Sequence, residues 1–540
     1  MIGLPRTQPG PRALAAAAAL ATCAALAPLA HAPGISRDEG RVMGGAVGEV
    51  RAAPLAPLPT PDVTAPEPPL GRAAARTAHG LFSRLGAGHV RSLRLGTVAF
   101  AAGLSALLAI AGHGLAGGAG AILALLLFWL VPRHLHAGLL ATPDVAAAAL
   151  WLATAWAYRL AQRAERPATR RAAAAGAGLL LGAALTARTD AWLLLAALAL
   201  HALVAPRLAG PSRPAEETAA QGSPAARGRG GLLALAAMAL LGPALLVASW
   251  PWLWADVPAR LAAAFAPGRA PASGAWDFLG AALAGRPPAR YALVVTSLTL
   301  PAAVLWTYGG GLLHALARAV RALARRDMDA RDDLLLALAA AAPFVASTAG
   351  VAPLAAGVRP WLPAMPFLAL LGARALVVAA SWAWAARRGP LLAALAVLVL
   401  WPALRQTIHA FPAGASAWNE LAGGAPGAAS LGMQRQDGGE AAAAVLDLVN
   451  ERSRRGARIW WPRTAPEAVN AWTRDGRLRA DLSRADGPEL ADLAVVALDG
   501  ASRDDEYRAW AALRTARASA GAYLDEVPLV LVYARGGAWR

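Results

Sequence analysis

The feature that most limits how this chain can fold is a series of long apolar blocks separated by short clusters of arginine. A membrane-spanning helix needs about 20 mostly apolar residues, and blocks near this length recur as far as residue 404. The blocks are 13–30, 96–113, 118–132, 145–158, 172–187, 191–205, 232–250, 291–315, 334–350, 361–380 and 390–404. The mean hydropathy of +0.44 also exceeds that of soluble domains. We predict an all-α polytopic membrane protein with about eleven transmembrane helices.

The first block allows two interpretations, a retained span or the apolar part of a cleaved signal peptide. Arg6 and Arg12 precede the block, and Ala30-His31-Ala32 has the small-x-small pattern of a cleavage site. Both interpretations leave the residues after Ala32 on the outer side of the membrane. The orientation of the later loops is therefore the same under either of them.

The net charge of +18 would also be compatible with a nucleic-acid-binding protein. The sequence contains no lysine, however, and its many Ala, Gly and Pro residues indicate a bias in nucleotide composition. Its arginines also cluster between the apolar blocks, so we expect no nucleic-acid partner. The only cysteine, Cys23, lies in the first block, which excludes a disulfide framework and a thiolate metal site.

The arginine clusters indicate the orientation of the spans, because cytoplasmic loops of membrane proteins are rich in Arg and Lys. Arginine-rich segments follow the fourth, sixth, eighth and tenth blocks, at 159–171, 206–231, 318–331 and 387–388. The outward-facing loops are then 31–92, 133–144, 188–190, 251–290 and 351–360. We predict a membrane domain at 1–404, with long outer loops at 31–92 and 251–290 and a cytoplasmic linker at 206–231. The remaining residues, 405–540, form an extracytoplasmic C-terminal domain.

This C-terminal segment has the pattern of a small α/β domain. Residues 440–454 have apolar and charged residues on opposite sides of a helix, and 504–516 form a second candidate helix. Short runs rich in β-branched or aromatic residues, at 457–461, 490–498 and 527–533, predict strands. The segment has neither a Gly-rich phosphate loop nor the spacing of a metal site.

Ionisable residues on the outer face are the candidates for function, because charge beside a bilayer is costly. Asp38 and Glu39 open the first outer loop. One carboxylate can accept a proton from an acceptor hydroxyl while the other holds the acceptor or a cation. The alternative is an acidic turn that caps a helix over 39–50.

A second polar cluster comprises Arg133, His134, His136 and, after Thr-Pro, Asp144. The arginine and the histidines can hold a phosphate at the outer leaflet. Asp144 allows either a role in the same site or simple stabilisation of a helix N-terminus. Two histidines at i and i+2 do not share a helix face, so they do not indicate zinc. We predict no metal site and no cofactor.

Two further arginines complete the candidate set. Arg188, with Asp190, lies in the break between the fifth and sixth blocks, where its side chain must face protein or water. The alternative is a snorkelling arginine with its own counter-ion. Arg359 is the only charged residue of loop 351–360. We predict that it binds phosphate, because its guanidinium matches phosphate oxygens bidentately.

An ordered set of motifs resembles bacterial family 39 glycosyltransferases. These have the GT-C fold and are related to the protein O-mannosyltransferases and the aminoarabinose transferase of lipid A. The motifs are RHLHAGLLATPDVAAAALW at 133–151, TARTDAW at 186–192, WPWLW at 250–254, GVRPWLPAMPFLALL at 357–371, WNELAGGAPG at 418–427 and GMQR at 432–435.

The resemblance implies a sugar donor carried on polyprenyl phosphate and transfer on the outer face, with Asp38 as general base. Glu67 replaces a histidine usual in the family, Arg188 occupies a lysine-like position and Asp190 replaces an asparagine. Loop 251–290 lacks the expected His and Tyr residues. These departures concern the substrate-facing loops.

Together these features predict an inverting glycosyltransferase in the bacterial inner membrane. Its partners are a polyprenyl-phosphate-linked sugar, membrane lipids, and an acceptor lipid, polysaccharide or protein. Two alternatives remain, a transporter or flippase of lipid-linked sugar and a catalytically inactive scaffold. The outer carboxylate pair and the large tail favour the enzyme.

Overall fold

The computed structural model describes residues 10–47, 67–205, 224–266, 276–283, 287–325, 330–350, 357–499 and 502–540. Most of the predicted linker 206–231 lies outside the described residues, as do parts of the outer loops 31–92, 251–290 and 351–360. All the candidate site residues lie inside them.

The part of the chain up to residue 410 is helical apart from its loops and one small hairpin. Its helices are α1 (Pro11–Leu29), α2 (Arg37–Val47), α3 (Pro69–Phe82), α4 (His89–Trp129), α5 (Pro132–Gly138), α6 (Asp144–Arg163), α7 (Pro167–Ala187), α8 (Trp192–Val204), α9 (Pro224–Ser249), α10 (Val257–Phe265), α11 (Tyr291–Thr299), α12 (Ala302–Arg325), α13 (Ala330–Ala349), α14 (Met365–Ser381) and α15 (Ala385–Ala410). Every predicted apolar block overlaps one of these helices. Among the described residues, six helices are long and apolar enough to cross a membrane: α1, α4, α9, α13, α15, and α14 with the turn before it. The polytopic all-α fold is confirmed.

The second and third predicted blocks both fall in α4, which is a helical hairpin rather than one straight rod. Its helical backbone is broken at Ala116 and Gly117, where Gly117 has a φ of 68°. The two arms pack so closely that a Cβ on Gly112 would come within 2.7 Å of the Gly120 carbonyl oxygen. The Trp129 indole also donates to Ser105 Oγ at 2.8 Å. Glycine is therefore needed both to turn the chain and to bring the arms together.

The interior of the helical part is a continuous apolar core. Its largest buried side chains include Phe128, Trp151, Tyr158, Trp361 and Phe367. Other large apolar residues face outward, among them Leu240, Trp306, Trp382 and Trp384, whose exposed fractions run from 72% to 83%. Such an outward apolar surface suits contact with lipid chains.

The remaining elements form the α/β tail and one hairpin. The helices are α16 (Gly424–Ser430), α17 (Leu446–Arg452), α18 (Pro466–Arg474) and α19 (Ser502–Leu513). The strands are β1 (Trp276–Phe278), β2 (Ala281–Leu283), β3 (Arg458–Trp460), β4 (Ser483–Arg484), β5 (Leu493–Ala497), β6 (Ala520–Leu524) and β7 (Val527–Ala534). β1 and β2 pair as a hairpin in loop 251–290. The tail sheet has the order β4-β3-β5-β7-β6, with β3 parallel to β4 and β5, and β7 antiparallel to β5 and β6.

The predicted strands at 457–461, 490–498 and 527–533 correspond to β3, β5 and β7, and the predicted helix at 504–516 corresponds to α19. The helix predicted over 440–454 begins as a 3-10 turn at Glu440–Val445 and continues as α17. The short elements α18, β4 and β6 escape the sequence patterns. β4 and β6 are edge strands, and α18 is only nine residues long, so none of them forms a long apolar run.

The tail packs directly on the first outer loop. Ile35, Val42 and Met43 share one buried core with Val445 and Trp472. The backbone N–H of Arg37 donates to the Gly438 carbonyl at 2.9 Å. The Asp475 carboxylate accepts a hydrogen bond of 2.9 Å from the N–H of Val90, in the first turn of α4. The segments that carry the candidate base and the tail are therefore held together by both apolar and polar contacts.

Candidate active site

The two predicted carboxylates at the start of α2 have different surroundings. Asp38 is partly accessible, its side chain 26% exposed, and its Oδ2 accepts a hydrogen bond of 2.6 Å from Arg359 Nη1. Glu39 is fully buried and forms an ion pair with Arg94, in which both contacts are 2.7 Å long. Glu39 Oε1 also accepts from the backbone N–H of Ala141.

The expected contact of Glu39 with an acceptor does not fit its position. Arg94 donates two hydrogen bonds to Glu39 and three more to the carbonyls of Ala30, Pro33 and Gly34. All five N–H donors of the guanidinium are thus used. The pair fastens the chain that leaves α1 onto α4, so Glu39 has a structural position and no access to substrate.

Asp38 lies at one end of a chain of alternating carboxylates and arginines. Arg359 donates to Asp38 through Nη1 and to Asp144 Oδ2 through Nε, at 2.8 Å. Asp144 in turn accepts from Arg188 Nη1 at 3.1 Å, and Arg188 Nη2 pairs with Asp190 at 2.8 Å. These residues come from α2, the start of α6, the break before α8 and the turn before α14. The chain of ion pairs therefore joins four separate parts of the fold.

Arg188 holds this assembly together and is not available for phosphate. Besides the two aspartates, it donates to the backbone carbonyls of Arg359 and Pro360, so that all five of its N–H donors are occupied. These contacts give no support to the predicted contact of Arg188 with donor phosphate. The snorkelling alternative also does not fit, because Arg188 is buried among protein groups.

The role of Asp144 goes beyond helix capping. It lies in the first turn of α6, where the helix N-cap is Pro143 and no side chain caps the helix. Its carboxylate instead binds both Arg188 and Arg359. Asp144 therefore orients the guanidinium of Arg359 toward Asp38.

A cavity opens beside this chain and holds about 640 Å³ of empty space, part of it open to solvent. Four of the predicted residues line it: Arg133, His136, Asp144 and Arg359. Other polar or aromatic residues also line it: Asp277, Tyr291, Trp418, Gln434, Gln436 and Asp437. Trp418 and Gln434 belong to the motifs at 418–427 and 432–435, whereas the sequence did not single out the other four. The cavity is thus formed by the helical part, the hairpin strand β1 and the segment before the 3-10 turn at Glu440–Val445.

The two histidines of α5 point to different places. His134 is buried against Phe128, with ring centroids 4.7 Å apart, and its Nδ1 donates to the Phe128 carbonyl. Burial lowers the pKa of His134 to about 4, so the ring is neutral. It does not line the cavity, so its position gives no support to the predicted contact with donor phosphate.

His136 lines the cavity, and its Nε2 donates to Glu440 Oε2 at 2.9 Å. Burial by itself lowers the pKa of His136, but the charge and the hydrogen bond of Glu440 outweigh it and raise this pKa. Within the described part of the chain, His136 Nδ1 has no hydrogen-bond partner. Glu440 was not singled out from the sequence.

Arg133 also lines the cavity and is held by the tail. Its guanidinium donates to the Ala417 carbonyl through Nε and Nη2, and lies 4.9 Å from the centre of the Trp418 ring. Burial lowers the pKa of Arg133 to about 10, so the side chain remains charged at neutral pH.

Two further carboxylates lie near Arg359. Asp437 Oδ2 is 3.8 Å from Arg359 Nη1, and burial raises the pKa of Asp437 to about 7. Burial, and then the negative charge of Asp38, raise the pKa of Glu67. The sequence marked Glu67 as a departure from the family pattern but gave no signal for Asp437. Among the residues that the structure describes, no group of three or more His, Cys, Asp or Glu is suited to hold a metal ion.

No protein-family model and no curated protein sequence matches the chain. Among solved structures, the apo form of ArnT from Cupriavidus metallidurans is similar, with a TM-score of 0.51 and 14% identity, over 95% of this chain and 97% of that one. ArnT bound to undecaprenyl phosphate gives a TM-score of 0.49 and 15% identity, over 96% and 97% of the two chains. The apo oligosaccharyltransferase of Archaeoglobus fulgidus gives 0.47 and 14% identity over 73% of this chain, which spans only 55% of its length.

These likenesses concern architecture. The similarity to apo ArnT extends over nearly the whole of both chains, and its low identity means that it shows the fold alone. The chain is a multi-pass membrane protein with a GT-C fold.

Proposed function

We propose that the protein is a glycosyltransferase that moves a sugar from a polyprenyl-phosphate donor to an acceptor hydroxyl on the outer face of the membrane. The observation that carries the proposal is the pairing of a partly accessible carboxylate, Asp38, with Arg359, a guanidinium that lines the cavity. Transfer from a lipid phosphate needs these two groups, a base for the acceptor and positive charge for the leaving phosphate.

In the proposed reaction, the acceptor hydroxyl attacks the anomeric carbon of the sugar while Asp38 takes the hydroxyl proton. The new carbon–oxygen bond forms as the bond from the anomeric carbon to the phosphate oxygen breaks. The phosphate leaves with the electron pair as polyprenyl phosphate. A single displacement of this kind inverts the configuration at the anomeric carbon.

The hydrogen bonds of Asp38 suit a base. Its Oδ2 is bound to Arg359, whereas Oδ1 has no hydrogen bond within the described ranges. The same guanidinium bonds hold the carboxylate in one orientation, because Arg359 is itself fixed by Asp144. A base that is already oriented loses little freedom when the acceptor arrives.

The donor phosphate also competes with Asp38 for Arg359. When phosphate oxygens bind the guanidinium, the bond from Nη1 to Asp38 is weakened, and the negative charge of the carboxylate becomes available to the acceptor proton. Arg133, the second arginine of the cavity, adds positive charge. The lipid class follows from the motif resemblance, and undecaprenyl phosphate is the lipid named with ArnT.

The test uses purified protein in liposomes with undecaprenyl-phosphate-linked sugars, a neutral hexose and an amino sugar, and a lipid extract as acceptor. Mass spectrometry should detect free undecaprenyl phosphate together with a glycosylated acceptor. A flippase would move the donor across the bilayer intact, and an inactive scaffold would leave it unchanged. Either result, with every donor of the panel, contradicts the proposal.

A further inference from the structure

We infer that His136 and Glu440 form the acid side of the reaction: His136 Nδ1–H contacts a phosphate oxygen of the donor and transfers its proton as polyprenyl phosphate leaves. Glu440 positions the imidazole of His136 and favours its protonated form. The inference rests on the proposed transferase function and adds a second proton-handling group to it.

The contact between the two side chains is close and buried. Nε2 of His136 and Oε2 of Glu440 are 2.9 Å apart, and the residues are only 6% and 4% exposed. His136 lines the cavity, while Glu440 is absent from its lining. With Nε2 committed to Glu440, Nδ1 is the nitrogen left without a partner among the described residues. A buried polar atom without a partner is costly, which favours a ligand atom at this position.

Backbone packing fixes both residues. Gly414 lies against α5 so tightly that a Cβ there would come within 2.7 Å of the Pro132 carbonyl oxygen and 2.8 Å of His136 Cβ. Glu440 follows Gly439, whose φ of 84° lies in the left-handed region. The backbone of Glu440 packs closely against Gly34 of the first outer loop. The dyad thus cannot shift without moving the loop that carries Asp38.

The charges around His136 favour the imidazolium. Burial is the largest single effect and lowers the pKa of His136, but the charge and the hydrogen bond of Glu440 together outweigh it. Glu39 acts in the same direction as Glu440, and Arg94 opposes them. Asp437 is a further acidic neighbour. The combined effect is a raised pKa of His136, which favours the form with protons on both ring nitrogens. Nδ1 is then a charged donor rather than an acceptor.

The proton balance of the step is closed. Before transfer, the donor phosphate is a diester with one negative charge. As the bond to the anomeric carbon breaks, the phosphate gains a second charge and becomes a monoester, whose second pKa is about 6. His136 gives its Nδ1 proton to that oxygen and becomes neutral, with Nε2–H still donating to Glu440. Asp38 holds the acceptor proton, and solvent returns both groups to their starting states.

The experiment measures two quantities across pH 5 to 9, the affinity for undecaprenyl phosphate and the kcat/KM of transfer. Wild-type protein should bind this phosphate more tightly at low pH and lose rate at high pH, as His136 deprotonates. His136→Gln should reduce the pH dependence of binding to the part set by Asp437 and by the second pKa of the phosphate itself, which is about 6. It should also weaken binding at low pH about tenfold and lower kcat/KM by about 10²-fold or more. Glu440→Gln keeps the hydrogen bond but removes the negative charge beside His136. The loss of kcat/KM at high pH should therefore begin at a lower pH than in wild type.

The matched control is the exposed pair His409 and Asp525, another histidine–carboxylate contact at 2.7 Å. His409→Gln should change neither profile. If His136→Gln and Glu440→Gln both keep the wild-type pH profile of binding, the inference is wrong. If wild type binds undecaprenyl phosphate with the expected pH dependence but transfers no sugar, the transferase proposal fails while the phosphate contact of His136 stands.

Discussion

Arg359 donates a hydrogen bond of 2.6 Å to Asp38, although the two residues are 321 positions apart in the chain. The first comes from the turn before α14 and the second from α2, on the first outer loop. Asp144 binds the same guanidinium from the start of α6. The candidate base and the candidate phosphate ligand are thus parts of one ion-paired unit, and a change in one alters the other.

Replacing Arg359 should weaken phosphate binding. We expect Arg359→Ala to lower the affinity for undecaprenyl phosphate more than Arg359→Lys, because lysine keeps the charge but loses the bidentate fork. Charged hydrogen bonds of this kind contribute about 1.5–3 kcal/mol each. Microscale thermophoresis in detergent measures the affinities, with the exposed Arg484→Ala as control. Equal affinity in wild type and Arg359→Ala would remove Arg359 from the site.

The buried pair of Glu39 and Arg94 should matter for stability. Removing one member of a buried ion pair leaves the other charge uncompensated and costs about 3–5 kcal/mol. We expect Glu39→Gln to lower the Tm in detergent clearly, while the surviving folded protein binds phosphate as wild type does. Asp486→Asn, at an exposed carboxylate, should leave the Tm unchanged. An unchanged Tm for Glu39→Gln would show that the buried pair does not hold the loop.

The pH dependence of stability should report on Asp437. Its pKa of about 7 in the folded protein lies above the ordinary value near 3.9. The folded state therefore binds the proton more tightly than the unfolded state. Protonation of Asp437 therefore adds to the free energy of unfolding. This contribution is fully present below about pH 4 and is lost as the pH rises through about 7.

Asp437→Asn has no proton to lose. Its Tm should therefore fall less than that of wild type between pH 5 and pH 8, as measured by intrinsic tryptophan fluorescence. The exposed Asp486→Asn should follow wild type. If the Tm of Asp437→Asn changed with pH as much as that of wild type, the pH dependence would belong to another group.

The predicted topology can be checked in cells. A reporter that is active only outside the cytoplasm should work when fused after Arg540, because an odd number of spans follows a cytoplasmic N-terminus. The same reporter inserted at Gly222, in the predicted cytoplasmic linker, should be silent. Activity on the same side at both positions would mean that the number of spans between them is wrong by one.

The helices of the membrane part were predictable because residues that face lipid or the apolar core form long apolar blocks, and every predicted block overlaps a helix. Among the described residues, six of these helices are long and apolar enough to cross a membrane. The hairpin in α4 was predictable as two blocks, but its tight turn was not, because Gly117 resembles its many neighbouring glycines. The tail strands β3, β5 and β7 were also recognisable. They are central in the sheet and therefore strongly apolar.

The site was harder to predict, because sequence gives residue types without directions. Asp38 and Glu39 are adjacent, and successive residues on a helix point about 100° apart, so Asp38 contacts Arg359 at the cavity while Glu39 is buried against Arg94. His134 and His136 differ for the same reason. Asp437 and Glu440 reach the site only through the packing of the tail on the first outer loop. No local pattern records that contact.

The most direct test of the account is the transfer rate of Asp38→Asn in liposomes, with the undecaprenyl-phosphate sugar that supports wild-type turnover. Asparagine keeps the size of aspartate and can still accept from Arg359, but it cannot take the acceptor proton. The rate should fall by about 10²- to 10⁴-fold, while the Tm stays close to wild type. The affinity for undecaprenyl phosphate should not fall, because the phosphate no longer competes with a carboxylate for Arg359. Asp486→Asn should keep the full rate. Transfer by Asp38→Asn at the wild-type rate would contradict the assignment of Asp38 as the base and the mechanism built on it.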